Sequence, residues 1–395
     1  MEGRAVKHYD IVIIGAGSVG VPLSYYCAKK GLKVCVLDRE ASWGRGQNRA
    51  AIGGLRATHS DAAKIRIAKE SIAIVSKMRE QTGHDVEWHS GGYLFVAYDE
   101  EREKSFRELL AKQKAAGLDI DWVSPEGVSK LAPGVKTEGL RGGTYSPGDG
   151  YASPLMTSTA FHRLAMEAGV EFRFREKVTG IEIAGGRVAR LLTNLGDYAA
   201  DLFVNAAGAD AAEISGLAGF SVPVRPDSHE GGVTEPVARF MEPMLVDIRP
   251  DGESGNYYFY QAMTGQVVFC ITPKPQLWGK DCDSTSTFLP LVLKRMIELY
   301  PRLRNLKVRR TWRGLYPMTP DGFPVVGYPR EAGNFLQAVG MCGQGFMLGP
   351  GLGKILAETF VSGASIDKPA GSTEYGFVFD QLSLYRDFGG MEMLK

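Results

Sequence analysis

The sequence predicts an α/β protein whose main parallel sheet is assembled from separated stretches of the chain, with a second, strand-rich layer inserted between them. Two observations lead to this prediction. A strand, a helix and a second strand occur between residues 9 and 38, and another strand, glycine-rich loop and helix follow between residues 334 and 363. The stretches 86–145 and 221–314, in contrast, read as short strands joined by turns.

The overall composition excludes several classes of partner. The 395 residues suggest two or three domains, and 46 Lys and Arg against 45 Asp and Glu give a formal net charge of +1. No long run of one charge occurs, so we expect neither a nucleic-acid nor an anionic-membrane partner. The 49 glycines, about 12% of the chain against a usual ~7%, require an explanation in glycine-dependent loops.

The cysteines and the one uncharged stretch bear on location. The five cysteines contain no CxxC pair and fit neither a disulfide framework nor a zinc site, so we expect reduced thiols, a cytoplasmic location and no metal. Residues 11–28 carry no charge, but three glycines and Pro22 interrupt them. We therefore predict no membrane span.

The first predicted element is a βαβ unit. Residues 9–14 form an apolar strand, residues 18–30 continue as a helix, and residues 32–38 form a second strand. The loop at residues 15–20 reads Gly-Ala-Gly-Ser-Val-Gly, which fits the GxGxxG pattern of dinucleotide-binding folds. Asp38 ends the second strand, at the spacing from the glycines that such folds use for an acidic residue.

Each of these residues has a physical task in such a site. Gly15 allows the tight turn, Gly17 lets a pyrophosphate approach the positive helix end, and Gly20 lets helix and strand pack closely. The carboxylate of Asp38 can accept hydrogen bonds from ribose hydroxyls. The loop therefore predicts a dinucleotide site.

The elements that follow are predicted from the spacing of their apolar residues. The second helix has Ser60 or Asp61 as its cap. We predict helices at 60–82, 100–116, 154–168 and 288–300, and several strands within 171–194 and 198–208.

A second glycine run decides between two dinucleotides. It comprises Gly340, Gly343, Gly345, Gly349, Gly351 and Gly353. Because a dinucleotide has only one pyrophosphate, a second helix N-terminus suits a flavin ring, which becomes negative on reduction. This favours FAD over NAD. The alternative interpretation of the run is a site of tight helix packing.

Taken together, these segments resemble the D-amino-acid-oxidase-like flavoenzymes over nearly the whole chain. This group includes glycine oxidase, monomeric sarcosine oxidase and dimethylglycine dehydrogenases. The sequence is most similar to the β subunits of heteromeric sarcosine oxidase and dye-linked L-proline dehydrogenase. The matching segments are DIVIIGAGSVG (10–20), VLDRE (36–40), GGLR (53–56), KVTGIE (177–182), VNAAGADA (204–211), TPDGFPVVG (319–327) and GQGFMLGPGLGKILAE (343–358).

The resemblance implies a Rossmann-type FAD-binding domain with an inserted substrate domain of antiparallel or mixed sheet. We expect the FAD-binding domain at 1–85, 146–220 and 315–375, the substrate domain at 86–145 and 221–314, and a C-terminal tail at 376–395. The implied FAD contacts are Gly15, Gly17, Ser18, Gly20, Asp38, Arg39, Arg45, Asn48, Val178, Gly208, Gly343, Gln344, Gly345, Phe346 and Met347.

Departures from the family pattern indicate the branch. Glycine oxidase and D-amino-acid oxidases hold the substrate carboxylate with an arginine in a Leu-Arg-Pro turn, whereas this chain has Tyr316 there. Sarcosine and proline enzymes place a basic residue where Arg56 stands, and a guanidinium offers two parallel donors to a carboxylate. The alternatives for Arg56 are an internal salt bridge and a contact with the FAD phosphates.

Three positions bear on the flavin's attachment and on the electron acceptor. The flavin-linking cysteine of monomeric sarcosine oxidases falls at Gly314, so we expect non-covalent FAD. Cationic residues of those oxidases fall at Met347 and, by a looser alignment, at Phe269. Without these charges we expect a slow reaction with oxygen, and hence a dehydrogenase rather than an oxidase.

His229 is the candidate proton acceptor and Tyr258 a candidate pocket aromatic. A neutral imidazole can take a proton from an ammonium substrate, which frees the amine lone pair. Two alternatives remain open at this point: Glu230 as the base, and purely structural roles for His229 and Tyr258.

The expected reaction is oxidation of a secondary amine or amino acid, of the sarcosine, proline, hydroxyproline or opine type, by hydride transfer to flavin N5. The alternatives are an FAD-linked 2-hydroxy-acid or glycerol-phosphate dehydrogenase, an NAD-dependent enzyme, and a flavin-binding subunit that is inactive without partner chains. The sequence leaves open the amine, the electron acceptor, the assembly, and a second flavin (FMN) at a subunit interface.

Overall fold

A computed structural model describes residues 6–361 and 375–394. Two large sheets dominate this part of the chain, and the predicted α/β class is confirmed. The strands are β1 (Lys7–Ile14), β2 (Val34–Asp38), β3 (Gly54–Leu55), β4 (Tyr93–Ala97), β5 (Asp121–Val123), β6 (Gly142–Ser146), β7 (Gly150–Tyr151), β8 (Glu171–Phe174), β9 (Val178–Ala184), β10 (Arg187–Thr193), β11 (Asp197–Asn205), β12 (Arg225–Pro236), β13 (Met244–Asp247), β14 (Ser254–Gln261), β15 (Gln266–Pro273), β16 (Val308–Met318), β17 (Val325–Gly327) and β18 (Phe335–Val339).

The helices follow the predicted spacing closely. The stretch predicted as one helix at 60–82 is divided in two at Lys77, and the carboxylate of Asp61 caps its start by accepting from the N–H of Lys64. The α-helices are α1 (Gly20–Lys29), α2 (Ala62–Ser76), α3 (Met78–Thr82), α4 (Glu100–Ala115), α5 (Pro125–Leu131), α6 (Pro154–Glu167), α7 (Ala211–Leu217), α8 (Phe288–Leu299), α9 (Gly345–Val361) and α10 (Gly376–Gln381).

The first sheet brings the carboxyl ends of its central strands to one edge. Its main order is β17-β18-β11-β1-β2-β8, and the hairpin of β9 and β10 extends it beside β11. Strand β1 pairs in parallel with both β2 and β11, so that Ile14 lies beside Leu37 and Asn205. The segments that follow these three residues therefore meet at one place.

The second sheet is a mixed, mostly antiparallel layer. Its order is β16-β12-β15-β14-β13-β4-β6-β5, and only the pairing of β13 with β4 is parallel among these neighbours. One face packs on α8 through a core that includes Phe259, Phe269 and Phe288. The opposite face is turned toward the first sheet and forms one wall of the cleft described below.

Helix α9 packs unusually close to α1 and α2. A Cβ atom on Gly349 would collide with the carbonyl of Ser18, and one on Gly351 would collide with the carbonyl of Ile67. A Cβ on Gly353 would lie 2.7 Å from the backbone nitrogen of Leu23. These three glycines therefore serve helix packing, which was the alternative interpretation of the second glycine run.

The segment expected to be a C-terminal tail folds back onto the first sheet. Leu382 is fully buried and its carbonyl accepts from the N–H of Val326 at 2.8 Å. Glu392 and Leu394 are buried as well, with 3% and 4% exposure. Residues 1–5, 362–374 and 395 of the expected domains lie outside the described residues. Within the described ranges, no helix is both long and apolar enough to cross a bilayer.

Candidate functional site

One long cleft runs from the carboxyl edge of the first sheet to the inner face of the second. It encloses about 2100 Å³ of space not filled by atoms, including its open mouth. Backbone from the loops after β1, β2 and β11 lines one end, and side chains from the second sheet line the other. We call these the nucleotide end and the substrate end.

The three glycines of the loop after β1 differ in the space around them. Gly15 has a φ of +111°, and a Cβ there would lie 2.9 Å from the carbonyl carbon of Ala206. A Cβ on Gly20 would collide with the carbonyl oxygen of Gly15. At Gly17, which lines the cleft, a Cβ would meet nothing within 4 Å. The open side of Gly17 thus faces the space that a pyrophosphate would occupy.

Asp38 lines the cleft at the end of β2 and is held by backbone donors. Its Oδ2 accepts from the N–H of Ala16 at 2.7 Å and its Oδ1 from the N–H of Glu40 at 2.8 Å. Burial raises the pKa of Asp38, and these two hydrogen bonds counteract that shift. Because each carboxylate oxygen has a second lone pair, both remain able to accept from ribose hydroxyls.

The other predicted nucleotide contacts divide into two groups. Arg39 lines the cleft and pairs with Asp210 at 2.9 Å. Arg45, in contrast, is exposed and outside the cleft lining, and Gly20 is buried beneath the loop. The remaining predicted contacts that line the cleft are Ser18, Asn48, Val178, Gly208, Gly343, Gln344, Gly345, Phe346 and Met347.

The N-terminus of α9 points into the middle of the cleft. Gly343 has a φ of +82°, and a Cβ there would overlap the ring of Tyr316. The helix begins at Gly345, so its first N–H groups and its positive dipole end lie at the cleft wall. The N-terminal half of the second glycine run therefore contributes to the cleft.

The nucleotide end fits a flavin dinucleotide. The side-chain Oδ1 of Asn48 and Oε1 of Gln344 are buried in the cleft wall and have no hydrogen-bond partner among the described residues. Buried polar atoms of this kind are rare unless a ligand satisfies them. Together with the open side of Gly17 and the free lone pairs of Asp38, they provide partners along an extended cofactor.

At the substrate end, one row of side chains crosses the second sheet. Cys270 lies opposite Gly231 on one side and Tyr258 on the other, Tyr258 lies opposite Val246, and Val246 lies opposite Phe95. Directly opposed residues point to the same face of a sheet. All five line the cleft, and this places Tyr258 in the site where the sequence left its register open.

His229 lies beside this row within a group of polar and aromatic side chains. Its Nε2 is 3.0 Å from Oδ2 of Asp227, and its ring stacks on Tyr316 with the centroids 3.8 Å apart. The hydroxyl of Tyr316 lies 3.3 Å from that of Tyr258. Burial raises the pKa of both phenols well above the usual value, so each stays protonated.

Arg56 lines the cleft in a fixed position. It is 7% exposed, its Nη2 donates to the carbonyl of Leu394 at 3.1 Å, and its Nη1 donates to the carbonyl of Thr58. The guanidinium lies 5.4 Å from the ring centre of Phe95. Of its two alternative roles, an internal salt bridge is not formed with any residue of 6–361 and 375–394, since none of its contacts there is with a carboxylate.

The directions of side chains in β12 and β15 bear on two sequence interpretations, the placement of Phe269 near the flavin and Glu230 as an alternative base. Phe269 is fully buried and stacks with Phe288 on the far side of the second sheet, so it does not face the cleft; its neighbour Cys270 lines the cleft. Both carboxylate oxygens of Glu230 accept from the N–H of Thr285, at 3.3 and 3.1 Å. That engagement disfavours Glu230 as the base.

Sequence reasoning missed three participants in the site. Asp227 orients His229, Cys270 lines the substrate end, and Leu394 contributes its carbonyl to Arg56. For Asp227 a signal existed, because it stands two residues before His229 on β12, and side chains two residues apart on a strand point to the same face. Nothing local marks Leu394.

The fold and the cleft define a class of protein: an oxidoreductase that binds a dinucleotide and oxidises a small molecule. A family model described as FAD dependent oxidoreductase matches residues 10–359, and the chain belongs to that family. The predicted family, enzyme class and cofactor are thereby confirmed.

Curated relatives of low identity cover most of the chain. The mitochondrial dimethylglycine dehydrogenase of Homo sapiens is 26% identical over 374 residues, which are 90% of this chain but 42% of that protein. The chain thus spans about two fifths of the length of that relative. The sarcosine oxidase subunit beta of Rhodobacter capsulatus is 22% identical, covering 91% of this chain and 86% of that protein.

Solved structures share the fold over nearly the whole chain. L-proline dehydrogenase from P. horikoshii aligns with a TM-score of 0.88 and 28% identity, over 98% of this chain and 100% of that one. Glycine oxidase from Geobacillus kaustophilus aligns with a TM-score of 0.82 at 23% identity, over 97% and 100% of the two chains. The latter comparison shows the fold alone.

Proposed function

We propose that this protein is an FAD-dependent dehydrogenase that oxidises a small secondary amine or amino acid bearing a carboxylate. The observation that carries the proposal is that Arg56 and His229 line the same cleft as the flavin-binding loops. The flavin, when bound, supplies the hydride acceptor, N5 of its ring. The chain's own residues bind the acid, orient the amine and take its proton.

Arg56 is the proposed partner of the substrate carboxylate. It is buried at the cleft wall, and its hydrogen bonds with the described residues are to neutral acceptors. A buried guanidinium without a paired anion favours binding of one, and its planar fork matches a carboxylate. Tyr316, which occupies the place of the arginine used in other branches, cannot supply that charge.

His229 is the proposed proton acceptor. If Nε2 carries a proton and donates it to Asp227, Nδ1 is the atom that can accept one. Stacking on Tyr316 holds the ring plane in one orientation. The imidazole can thus accept the ammonium proton before hydride transfer, because only the free amine has the lone pair that assists the reaction.

We further infer that the FAD is bound without a covalent link and that electrons pass to a partner. Gly314 lines the cleft where a linking cysteine would stand, and a Cβ there would overlap the Cβ of Ala50. The similarity to a sarcosine oxidase β subunit supports partner chains as electron acceptors. The five cysteines, all unpaired, favour a reducing compartment such as the cytoplasm.

The decisive experiment is anaerobic mixing of the purified holoenzyme with sarcosine, proline, hydroxyproline, an opine, lactate and glycerol 3-phosphate. Loss of the oxidised flavin absorbance with an amine, but not with lactate or glycerol 3-phosphate, is the expected result. Bleaching by lactate alone would replace the proposal with a hydroxy-acid dehydrogenase. Bleaching by none of them until a partner chain is added would identify a dependent subunit.

A further inference from the structure

A buried ion pair lies next to Arg56 and has no part in the proposed reaction. The ammonium of Lys64 in α2 pairs with the carboxylate of Glu392, and both side chains are 0% exposed. Burial alone would raise the pKa of Glu392, but electrostatic interactions with Lys64, His59 and Arg56 and the hydrogen bond from Lys64 together hold it well below the usual range. A fully buried ion pair adds little net stability, because both charges lose their hydration. Its presence beside the site therefore suggests a role in placing other groups.

Glu392 fastens the segment 392–394 to the loop that carries Arg56. Its Oε1 accepts from the N–H of Ser60 at 3.2 Å and from the Ser60 hydroxyl at 2.7 Å. The same oxygen accepts from the N–H of Leu394 at 3.2 Å. One carboxylate thus fixes the position of Leu394 relative to α2.

Leu394 in turn holds the guanidinium. Its carbonyl accepts from Nη2 of Arg56 at 3.1 Å, while the Thr58 carbonyl and the Nδ1 of His59, at 3.2 Å, take the two donors of Nη1. Of the five N–H groups of an arginine side chain, three are therefore used. Within the part of the chain that the structure describes, the Nε–H and one N–H of Nη2 have no protein partner, and these two donors can bind one carboxylate.

The protonation states of the side chains around Arg56 are consistent with three of its N–H groups being held by the protein and two facing the cleft. Burial and the neighbouring charges of Arg56 and Lys64 lower the pKa of His59 well below its usual value. The imidazole is therefore neutral, as its Nδ1 must be to accept from Arg56. The carboxylate of Glu392 lies 3.8 Å from Nδ1 of His59 and accepts hydrogen bonds from Lys64 and Ser60. It interacts with Arg56 through its charge but makes no hydrogen bond with that guanidinium.

We propose that Glu392 and Lys64 are positioning residues for substrate binding: their ion pair holds the Leu394 carbonyl against Arg56, so that two N–H groups of the guanidinium face the cleft. The inference rests on the proposed function, in which Arg56 binds the substrate carboxylate. It makes the segment 392–394 part of the substrate site, although that segment does not touch the reacting atoms.

The first test is Glu392→Gln in the holoenzyme, compared with Glu70→Gln. The amide keeps a hydrogen-bonding side chain at Ser60 but removes the charge opposite Lys64. Glu70 pairs with Lys354 and with Arg66, at 2.9 Å from the latter, and lies outside the cleft, so it is a matched loss of a carboxylate. A second variant, Lys64→Met with Glu392→Leu, removes both charges and avoids an unpaired buried lysine.

Two readouts separate positioning from general stability. For the amino acid that bleaches the flavin, we expect Glu392→Gln and the double variant to raise KM by about tenfold while kcat and flavin content change less than about twofold. The affinity for propionate, followed by the flavin spectrum, should fall by the same factor. Glu70→Gln should change neither quantity. If KM and propionate affinity are unaltered in the folded variants, or if kcat and flavin content fall as much as affinity, the proposal is wrong.

A measurement on the unmodified enzyme covers the case in which both variants fail to fold. If propionate binds Arg56 and the segment 392–394 positions it, propionate should slow amide hydrogen exchange in that segment. Unchanged exchange at saturating propionate would overturn the proposal. Arg56→Lys, assayed in parallel, tests the underlying function. If this variant has normal KM and normal propionate affinity, Arg56 does not bind the substrate carboxylate. If Arg56→Lys changes KM and propionate affinity but Glu392→Gln does not, only the positioning role of Glu392 is refuted.

Discussion

The imidazole of His229 stacks on the phenol ring of Tyr316, with the ring centroids 3.8 Å apart and the ring planes 14° apart. Asp227 holds the edge of the same imidazole through a 3.0 Å contact with Nε2. The ring is thus fixed both in its plane and about its axis. Tyr316, which stands where relatives carry a substrate-binding arginine, has become a support for the proposed proton acceptor.

Two replacements of Tyr316 should distinguish the effect of its ring stacking on catalysis from the effect of its hydroxyl group. Tyr316→Phe keeps the stack and should retain kcat within about twofold, whereas Tyr316→Leu should lower kcat by about three- to tenfold, since an aromatic pair contributes about 0.5–1.5 kcal/mol. The measurement is the anaerobic rate of flavin reduction at saturating amine. Equal losses in the two variants would assign the role to the hydroxyl near Tyr258.

Two glycines of the first loop should respond differently to alanine. Gly17→Ala meets only open space in the protein, so apoprotein stability should change by less than about 0.5 kcal/mol while flavin content falls sharply. Gly20→Ala collides with the Gly15 carbonyl and should destabilise the apoprotein by about 1–3 kcal/mol. Urea unfolding of the apoprotein and the absorbance of bound flavin measure the two effects. Normal flavin content in Gly17→Ala would place the pyrophosphate elsewhere.

Arg56→Lys should weaken acid binding without affecting the flavin. The ammonium keeps the charge but loses the planar fork, so KM for an amino-acid substrate should rise by about ten- to a hundredfold. The flavin content and the rate with the matching decarboxylated amine should stay close to those of the unmodified enzyme. Steady-state kinetics with proline against pyrrolidine, or sarcosine against dimethylamine, provides the comparison. Equal effects on acid and amine would remove Arg56 from carboxylate recognition.

Asp149, which braces the Arg56 loop, should give stability an unusual pH dependence. Its Oδ1 accepts from the N–H of Ala57 at 2.8 Å, and burial raises its pKa to about 6. Between about pH 4 and pH 6 the carboxyl group of Asp149 is therefore protonated in the folded chain. In the unfolded chain, where an aspartate has an ordinary pKa near 3.9, it is ionised. Its contribution to the free energy of unfolding is thus greatest below pH 4 and falls as the pH rises to 6, by about 2 kcal/mol.

Asp149→Asn should abolish the pH-dependent contribution of Asp149 to the free energy of unfolding. Urea unfolding of the variant and the unmodified protein at several pH values gives the difference between their free energies of unfolding. We expect this difference to change by about 2 kcal/mol between pH 4 and pH 7. A difference that does not depend on pH would mean that Asp149 has an ordinary pKa in the folded state.

The reduced enzyme should react slowly with oxygen. Among the described residues of the cleft lining, the lysines and arginines are Arg39, Arg56 and Lys177. Met347 is uncharged, and the resemblance implies that it stands where monomeric sarcosine oxidases carry a lysine. A positive charge near N5 would stabilise superoxide, so its absence should slow reoxidation by orders of magnitude relative to dye reduction. Stopped-flow mixing of substrate-reduced enzyme with aerated buffer measures this rate. If it matched dye-coupled turnover, Arg56 would be close enough to serve as that cation and the enzyme would be an oxidase.

The sequence alone determined the features that depend on neighbours along the chain. The GxGxxG loop, the helices α2, α4 and α6, and the acidic residue after β2 are all set by local spacing, because turns, caps and helical faces are formed by residues a few positions apart. Family resemblance added the cofactor and drew attention to Arg56 and His229. That resemblance depends on seven short segments whose order along the chain is characteristic of the D-amino-acid-oxidase-like flavoenzymes.

Tertiary structure decided what depends on strand direction and on distant contacts. A shift of one residue turns a strand side chain to the opposite face, so sequence alone did not show that Cys270 faces the cleft and Phe269 the core. Arg45 is implied as a nucleotide contact by the family resemblance, yet the chain path leaves it exposed and outside the cleft lining. The contact of Arg56 with Leu394 joins residues 338 positions apart, and the buried pair of Lys64 and Glu392 joins the same two parts of the chain. Contacts between residues so far apart depend on the folded path of the chain, and no local pattern in the sequence marks them.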